Sequence, residues 1–255
     1  MGSESGPGPF VSVVVTVKNE ERGLARLFES LLVQEPPFEI VLVDALSHDR
    51  TWDIANEFRA RRPEIFRIEQ KFGSRGMGRN EGVRLARGEC IAFIDGDCVA
   101  DSRWLHELRA GFAEAPVVAG TTVAVGSTRY GELERVELFQ KGNDVTYPSC
   151  NLGYRRALFE SLGGFDPHFI TAEDIDLNLR AVEQGAHLRA APAAIVYHQM
   201  RTTLARFLVQ AFWNGYGRKQ LTEKHGSLWG NYRVSRLIQS QRTVVAWDWM
   251  RRLTR

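Results

Sequence analysis

Cysteine is scarce in this chain of 255 residues: Cys90, Cys98 and Cys150 form no Cys-x-x-Cys pair. That excludes a disulfide-stapled scaffold and the common zinc spacings, and an odd, sparse set points to reduced thiols facing a cytosol. No uninterrupted apolar run reaches the 18 residues of a membrane helix. The first nine residues, rich in Gly, Ser and Pro, lack the apolar stretch of a signal peptide and read as a disordered leader. Gly6 stands where a myristoylation pattern needs Ser or Thr. Glycine is also missing from residues 16–20, at the end of the first expected strand, so no glycine loop follows it. The glycine-rich stretch 72–78 ends without the Gly-Lys-Ser/Thr of a P-loop and does not match Gly-x-Gly-x-x-Gly.

Net charge is small, with 33 Lys+Arg against 31 Asp+Glu. Its distribution is lopsided. Residues 201–255 hold 11 basic residues and two acids, Glu223 and Asp248, which leaves 22 basic and 29 acidic residues in 1–200. An acidic body followed by a basic tail points to an anionic surface as the partner of the tail. With 44% hydrophobic residues the length suits one large α/β domain.

The stretch 89–97 organises the rest. Residues 90–94, Cys-Ile-Ala-Phe-Ile, form an apolar run without a polar break, the pattern of a strand buried on both faces. It ends at Asp95-Gly96-Asp97. Ligands of open α/β sheets sit beyond the carboxyl ends of strands. Paired carboxylates suit Mg2+ or Mn2+, and Gly96 leaves room for close approach. An ordinary Asp-Gly turn gives the same letters.

Strands are expected at 10–17, 39–44 and 65–69, with helices at 20–34, 51–61 and 79–87 between them. Asn19 suits the cap of the first helix. The loop 72–78, with Lys71 and Arg75, reads as an anion site at a helix start. Alternating strands and helices predict a Rossmann-like, mostly parallel central sheet flanked by helices, with Asp44 and Asp95 at the same edge. Further on, a helix is expected at 102–113, a strand at 117–125, a helical segment at 130–141, a loop with a short strand at 147–153 and a tight Gly-Gly turn at 163–167. Residues 173–180 open a helix crowded with acids, which also suits its macrodipole at ~0.3–1 kcal/mol each. A last short strand, 193–198, ends in His198, either a hydrogen-bonded loop residue or a third metal contact.

Residues 16–20, Asp44, Arg79-Asn80 with Gly82, Asp95-Gly96-Asp97, the Gly-Gly-Phe-Asp turn at 163–166 and Glu173-Asp174 occur in the order and spacing of family 2 glycosyltransferases with the GT-A fold. The resemblance covers roughly residues 10 to 220. It implies that Thr16, Val17, Asn19 and Glu20 cradle a nucleotide, with Asp44 on the base and Arg79 by base and diphosphate. It implies that Asp95, Gly96 and Asp97 hold the donor and, with His198, a Mn2+ or Mg2+ ion. It puts the catalytic base at Asp174 beside Glu173, and the sugar and acceptor pocket at Asn151 and Gly153. Ala45-Leu46 departs from the Gly or Asp-Gly-Ser common in the family, and Val17-Lys18 from its usual proline or tyrosine.

The expected activity is inverting transfer from a UDP- or GDP-linked sugar to a hydroxyl or lipid-phosphate acceptor, such as a polyprenyl phosphate or glycolipid. The expected layout is a leader at 1–9, a catalytic domain at 10–200 and a basic amphipathic segment at 201–255. Residues 234–253 mix Leu237, Ile238, Val244, Val245, Trp247 and Trp249 with arginines, which suits a helix lying on anionic lipid at a cytosolic membrane face, in a chain whose natural form could run on into membrane spans. Packing of that helix on the body or in a dimer gives the same pattern. The tail carries no recognised nucleic-acid motif. Two other classes remain open on sequence alone: a sugar nucleotidyltransferase, which needs a basic glycine loop after strand one, and an inactive binding module.

Overall fold

The computed structural model describes residues 8–126, 137–199, 204–226 and 228. Its centre is an eight-stranded sheet in the order β3-β2-β1-β4-β9-β6-β10-β5. The strands are β1 (Val11–Val17), β2 (Phe38–Asp44), β3 (Phe66–Gln70), β4 (Cys90–Asp95), β5 (Cys98–Ala100), β6 (Val117–Val125), β9 (Asn151–Arg155) and β10 (Leu188–Gln199). β7 (Phe139–Gln140) and β8 (Asn143–Asp144) pair as a separate small ribbon. The first four neighbours, β3 to β4, run parallel. β9 then enters antiparallel between β4 and β6, β6 and β10 are parallel, and β5 closes the edge antiparallel to β10. The sheet is therefore mixed, with its parallel half carried by α1 (Leu24–Leu32), α2 (Thr51–Arg61) and α3 (Arg75–Leu85).

Alternation along β1 sorts its side chains between two cores. Val11, Val13, Val15 and Val17 join Leu24, Leu27, Phe28 and Leu31 of α1 on one face. Val14 faces the other, with Val83 of α3 and with Phe159 of α5 (Arg156–Ser161) and Leu177 of α6 (Glu173–Glu183). The first core also takes Trp104, Leu105 and Leu108 of α4 (Trp104–Phe112).

Three local expectations are corrected. Helix α3 begins at Arg75, so Gly76 and Gly78, expected in a loop before it, lie within it together with Gly82. They thin the helix where it presses on the body: a Cβ on Gly82 would stand 2.4 Å from Val14 Cγ1, one on Gly78 3.0 Å from Thr16 Cγ2, and one on Gly76 3.2 Å from Phe165 Cβ. Asn19 is no cap. Helix α1 starts at Leu24 after Gly23, and Asn19 sits in the left-handed region at φ 57°. Of the segment expected as helix at 130–141, the described part carries the strand β7 instead.

The last strand is longer than expected and irregular. The register of β10 on β6 jumps between Ala191 and Ile195, around Pro192, which has no N–H for the ladder. Helix α7 (Leu204–His225) returns to the body. Leu221 is fully buried, and Lys224 and His225 both reach the buried carboxylate of Asp176 at 2.8 Å. The amphipathic helix expected at 234–253 lies outside the described residues.

Candidate active site

Strand register brings the first acids together. Thr16 of β1 pairs with Asp95 on one side, and Val17 pairs with Asp44 on the other. Adjacent strands are about 4.8 Å apart, so Asp44 and Asp95 flank one strand end about 10 Å apart. Val17 is buried, and its carbonyl accepts from the Ala45 amide at 2.9 Å. The 17–21 segment is then stitched to the 44–51 loop. The Asn19 amide donates to Ser47 Oγ, the His48 amide to Asn19 Oδ1, the Glu20 amide to Thr51 Oγ1 and the Glu21 amide to Asp49.

Asp44 itself is sealed. It is fully buried and accepts from the Ser47 amide and hydroxyl and from Gln70 Nε2 at 2.8 Å. Its observed part is to shape the turn at the edge, where Leu46 is exposed and Ala45 and Ser47 are half-buried. Gly96 serves packing as well. A Cβ on it would stand 2.6 Å from Val17 Cγ1 and 3.3 Å from Glu20 Cγ, and Gly23 packs on the same turn, where a Cβ would stand 3.0 Å from the Gly96 carbonyl oxygen.

Arg79 is the hub. It is 2% exposed, donates to Asp95 Oδ1 at 2.8 Å and to Glu173 Oε1 at 2.6 Å, and stacks over Phe165. Burial works against its charge, but Asp95, Glu173 and Asp174 together outweigh it and raise its pKa further. Its place is therefore within the protein's own carboxylates, and the expectation that it contacts base and diphosphate is corrected to that of a strut. Glu173 is equally enclosed. Burial and the charge of Asp174 push its carboxyl up, while the bridge to Arg79 pulls it down. It anchors the start of α6 and offers nothing to a substrate. Asp174, half-buried next to it, accepts from the Ser149 amide at 3.0 Å and from Ser149 Oγ at 3.3 Å through Oδ2. Its Oδ1 takes the Ile175 amide.

Asp97 and His198 meet on the other side of Asp95. β5 follows the Asp-Gly-Asp turn directly, and its antiparallel pairing with β10 sets Cys98 opposite His198. His198 Nε2 thus comes to 3.3 Å from Asp97 Oδ2. The hydrogen bond with Asp97 pushes His198 up to about 9, against the effect of burial. Asp95, Asp97 and His198 remain 30%, 27% and 30% exposed at their side chains, so two carboxylates and an imidazole stand open to solvent on one edge. Asp97 and His198 offer an oxygen and a nitrogen donor close enough for a hard divalent cation, which would take the place of the imidazole proton, whereas Asp95, expected to join them, lies outside that group and is paired with Arg79.

Asn151 and Gly153 are corrected to core positions. The side chain of Asn151, itself fully buried, accepts from Trp104 Nε1 at 2.8 Å and donates to the Thr121 and Ala194 carbonyls. Gly153 is pressed against Phe112, whose Cζ would be 2.6 Å from a Cβ. Neither presents an atom to a sugar. Residues that sequence reasoning passed over include Ser149, Ser47, Gln70 and Cys98. Only Cys98 carried a visible signal, its place next to Asp97.

Comparison with known proteins decides the family. The Glycosyl transferase family 2 model matches residues 12–163, and the Glycosyl transferase family group 2 model matches residues 90–253. The chain belongs to glycosyltransferase family 2. Curated relatives include Glycosyltransferase AglE of Haloferax volcanii, 29% identical over 84% of this chain and 74% of the relative. The Pre-mycofactocin glycosyltransferase of Mycobacterium tuberculosis is 28% identical over 93% of this chain. The match takes in 52% of that relative, so this chain spans about half its length. Among solved structures, S. aureus TarS 1–349 in complex with UDP-GlcNAc matches at 26% identity and a TM-score of 0.62, covering 76% of this chain and 59% of that one. The mannosyltransferase PcManGT from Pyrobaculum calidifontis, solved with GDP-Man and Mn2+, matches at 17% identity and the same TM-score. The mixed sheet and its flanking helices are those of GT-A glycosyltransferases, and this member of the family is a glycosyltransferase.

Proposed function

We propose that this glycosyltransferase moves a sugar from a nucleoside-diphosphate donor to an acceptor oxygen with inversion, using Asp95, Asp97 and His198 to hold Mn2+ or Mg2+ and Asp174 as base. The observation that carries this is the Arg79 strut. By binding Asp95 and Glu173 together, it ties the Asp-Gly-Asp turn to the first turn of α6, so the ion-holding acids and Asp174 share one edge. A bound divalent ion supplies neutralisation of the charge that builds on the departing diphosphate. Asp174, oriented by Ser149, accepts the proton of an attacking hydroxyl. An already ionised lipid phosphate needs no base, and Asp174 would then balance charge. The turn formed by residues 16–20 and 44–47 receives the nucleotide in this reading, and the likeness to TarS with UDP-GlcNAc supports uridine as its base.

The domain from 10 to 200 is the catalytic body in this reading, and 201–255 its basic extension towards a membrane face and a lipid-linked acceptor. Two features support that extension. The tail carries 11 basic residues against two acids. Helix α7 exposes Leu208, Val209, Phe212, Trp213 and Tyr216. Among the described residues, no helix is long and apolar enough to cross a membrane.

The test is release of nucleotide from a panel of UDP- and GDP-sugars with Mn2+. Release that EDTA abolishes, and that Asp97→Asn loses together with metal-dependent donor binding, is the expected result. No release from any donor would favour a binding module, and donor affinity indifferent to EDTA would remove the metal.

A further inference from the structure

The reaction just described has no use for Cys98, yet its thiol lies at the proposed ion site. Asp97 Oδ2 is 3.3 Å from His198 Nε2, and the Cys98 thiol points to Asp97 Oδ1 at 3.9 Å. One donor atom from each of the three residues lies within 4.8 Å of the others. A tetrahedral zinc ion, with bonds of about 2.0–2.3 Å, spaces its ligand atoms about 3.3–3.7 Å apart. The set closes with shifts of about an ångström. The backbone supports this, because Cys98 and His198 are direct antiparallel partners, which puts their Cβ atoms about 4.5–5.5 Å apart on one face. Cys150, the third thiol, lies 3.6 Å from Thr122 Oγ1.

A carboxylate and an imidazole alone serve Mg2+ or Mn2+, but a thiolate shifts preference to Zn2+. We propose that Asp97, Cys98 and His198 form a thiolate-bearing site that takes Zn2+ in competition with the activating ion, so that Cys98 sets the metal selectivity of the enzyme. Binding releases the thiol proton to solvent, since a coordinating thiol is deprotonated. The inference rests on the reading of Asp97 and His198 as metal ligands.

Titration of the full chain with Co2+, under a phosphine reductant, tests it. Wild type and Cys150→Ser should show a near-ultraviolet thiolate-to-cobalt charge-transfer band that Zn2+ abolishes, and Cys98→Ser should lack it. Zn2+ affinity should fall at least about tenfold in Cys98→Ser, the lower end of what loss of even an outer partner costs. Mn2+ affinity, read by the electron spin resonance of the free ion, should stay nearly constant. Cobalt binding to wild type without the band overturns the proposal whether or not the variant folds. Equal Zn2+ affinity in a folded Cys98→Ser does the same. Mn2+ binding without a cobalt–thiolate band would sink this inference alone, whereas loss of Mn2+ binding by wild type would take the metal reading of the proposed function with it.

Discussion

Strand β2 carries an acid near each end, Glu39 and Asp44, and both are fully buried. At the lower end Glu39 accepts from Ser12 Oγ at 2.7 Å and meets Arg67 at 3.0 Å and Arg87 at 2.8 Å. One carboxylate there faces two guanidinium groups. At the upper end Asp44 has only neutral donors, and beside it Asp95, Asp97, Glu173 and Asp174 gather around one guanidinium, Arg79, and one imidazole, His198. The lower edge is closed electrostatically; the upper edge holds more negative charge than its own cations answer. A doubly charged diphosphate would be repelled by such an edge unless a divalent ion came with it. The difference sets an acid whose charge is answered within the fold against a group of acids whose charge is not, which is what the proposed function asks of a metal-dependent site.

The largest contrast should come from Asp174. Asp174→Asn keeps most hydrogen bonds of the α6 start, so its melting temperature should stay near that of the wild type. Turnover should fall about 10²–10⁴-fold with donor affinity nearly intact. Steady-state kinetics and donor titration check both, and full activity would remove Asp174 as base. Arg79→Met should affect stability and activity together. It leaves the Glu173 carboxylate buried without its partner, a change that costs about 3 kcal/mol at the low end for a broken buried pair, Asp95 being partly screened by water. Chemical denaturation measures it, and adding Glu173→Gln should recover part of the stability but not the activity.

Much of the upper edge was readable because its logic is local. Buried runs that stop at an acid mark strand ends, as β2 does at Asp44 and β4 at Asp95. What escaped depends on distant partners. Gly76 and Gly78 read as a loop because glycine is a poor helix former, and only the close approach of Phe165 and Thr16 explains them. Arg79 reads as a phosphate ligand until Glu173, 94 residues on, proves to be its partner. Asn151 reads as a sugar ligand until Trp104 claims it. A five-residue run such as β9 shows nothing of its direction, so the antiparallel insertion that makes the sheet mixed was invisible.

Glu39→Gln probes the closed edge. Burial alone would raise the Glu39 carboxyl, but the hydrogen bonds from Ser12 and Arg87 outweigh it and hold it below its ordinary value. The folded state thus binds the proton less readily than the unfolded chain. The stabilisation is complete above the ordinary glutamate range near pH 4.3 and fades as pH falls through the lower folded value. The variant should lose about 1–3 kcal/mol at pH 7, because Arg67 and Arg87 are half-exposed and regain water, and the gap should narrow at pH 3. Nucleotide release per folded molecule should not change. A large loss of activity without loss of stability would erase the distinction between the edges.

The finest test is Ser149→Ala. Two donors from one residue hold Asp174 Oδ2, and the substitution removes only the hydroxyl, which at 3.3 Å is the longer contact. An O–H···O bond of that length is weak, and one ordinary hydrogen bond contributes about 0.5–1.5 kcal/mol. Turnover should therefore fall about two- to tenfold, with KM for the donor unchanged, because the backbone amide still aims the carboxylate. A fall as deep as that of Asp174→Asn would mean that the hydroxyl itself meets the acceptor. No change at all would mean that the amide and the start of α6 suffice to orient the base, leaving the upper edge dependent on backbone geometry where the lower edge depends on charge.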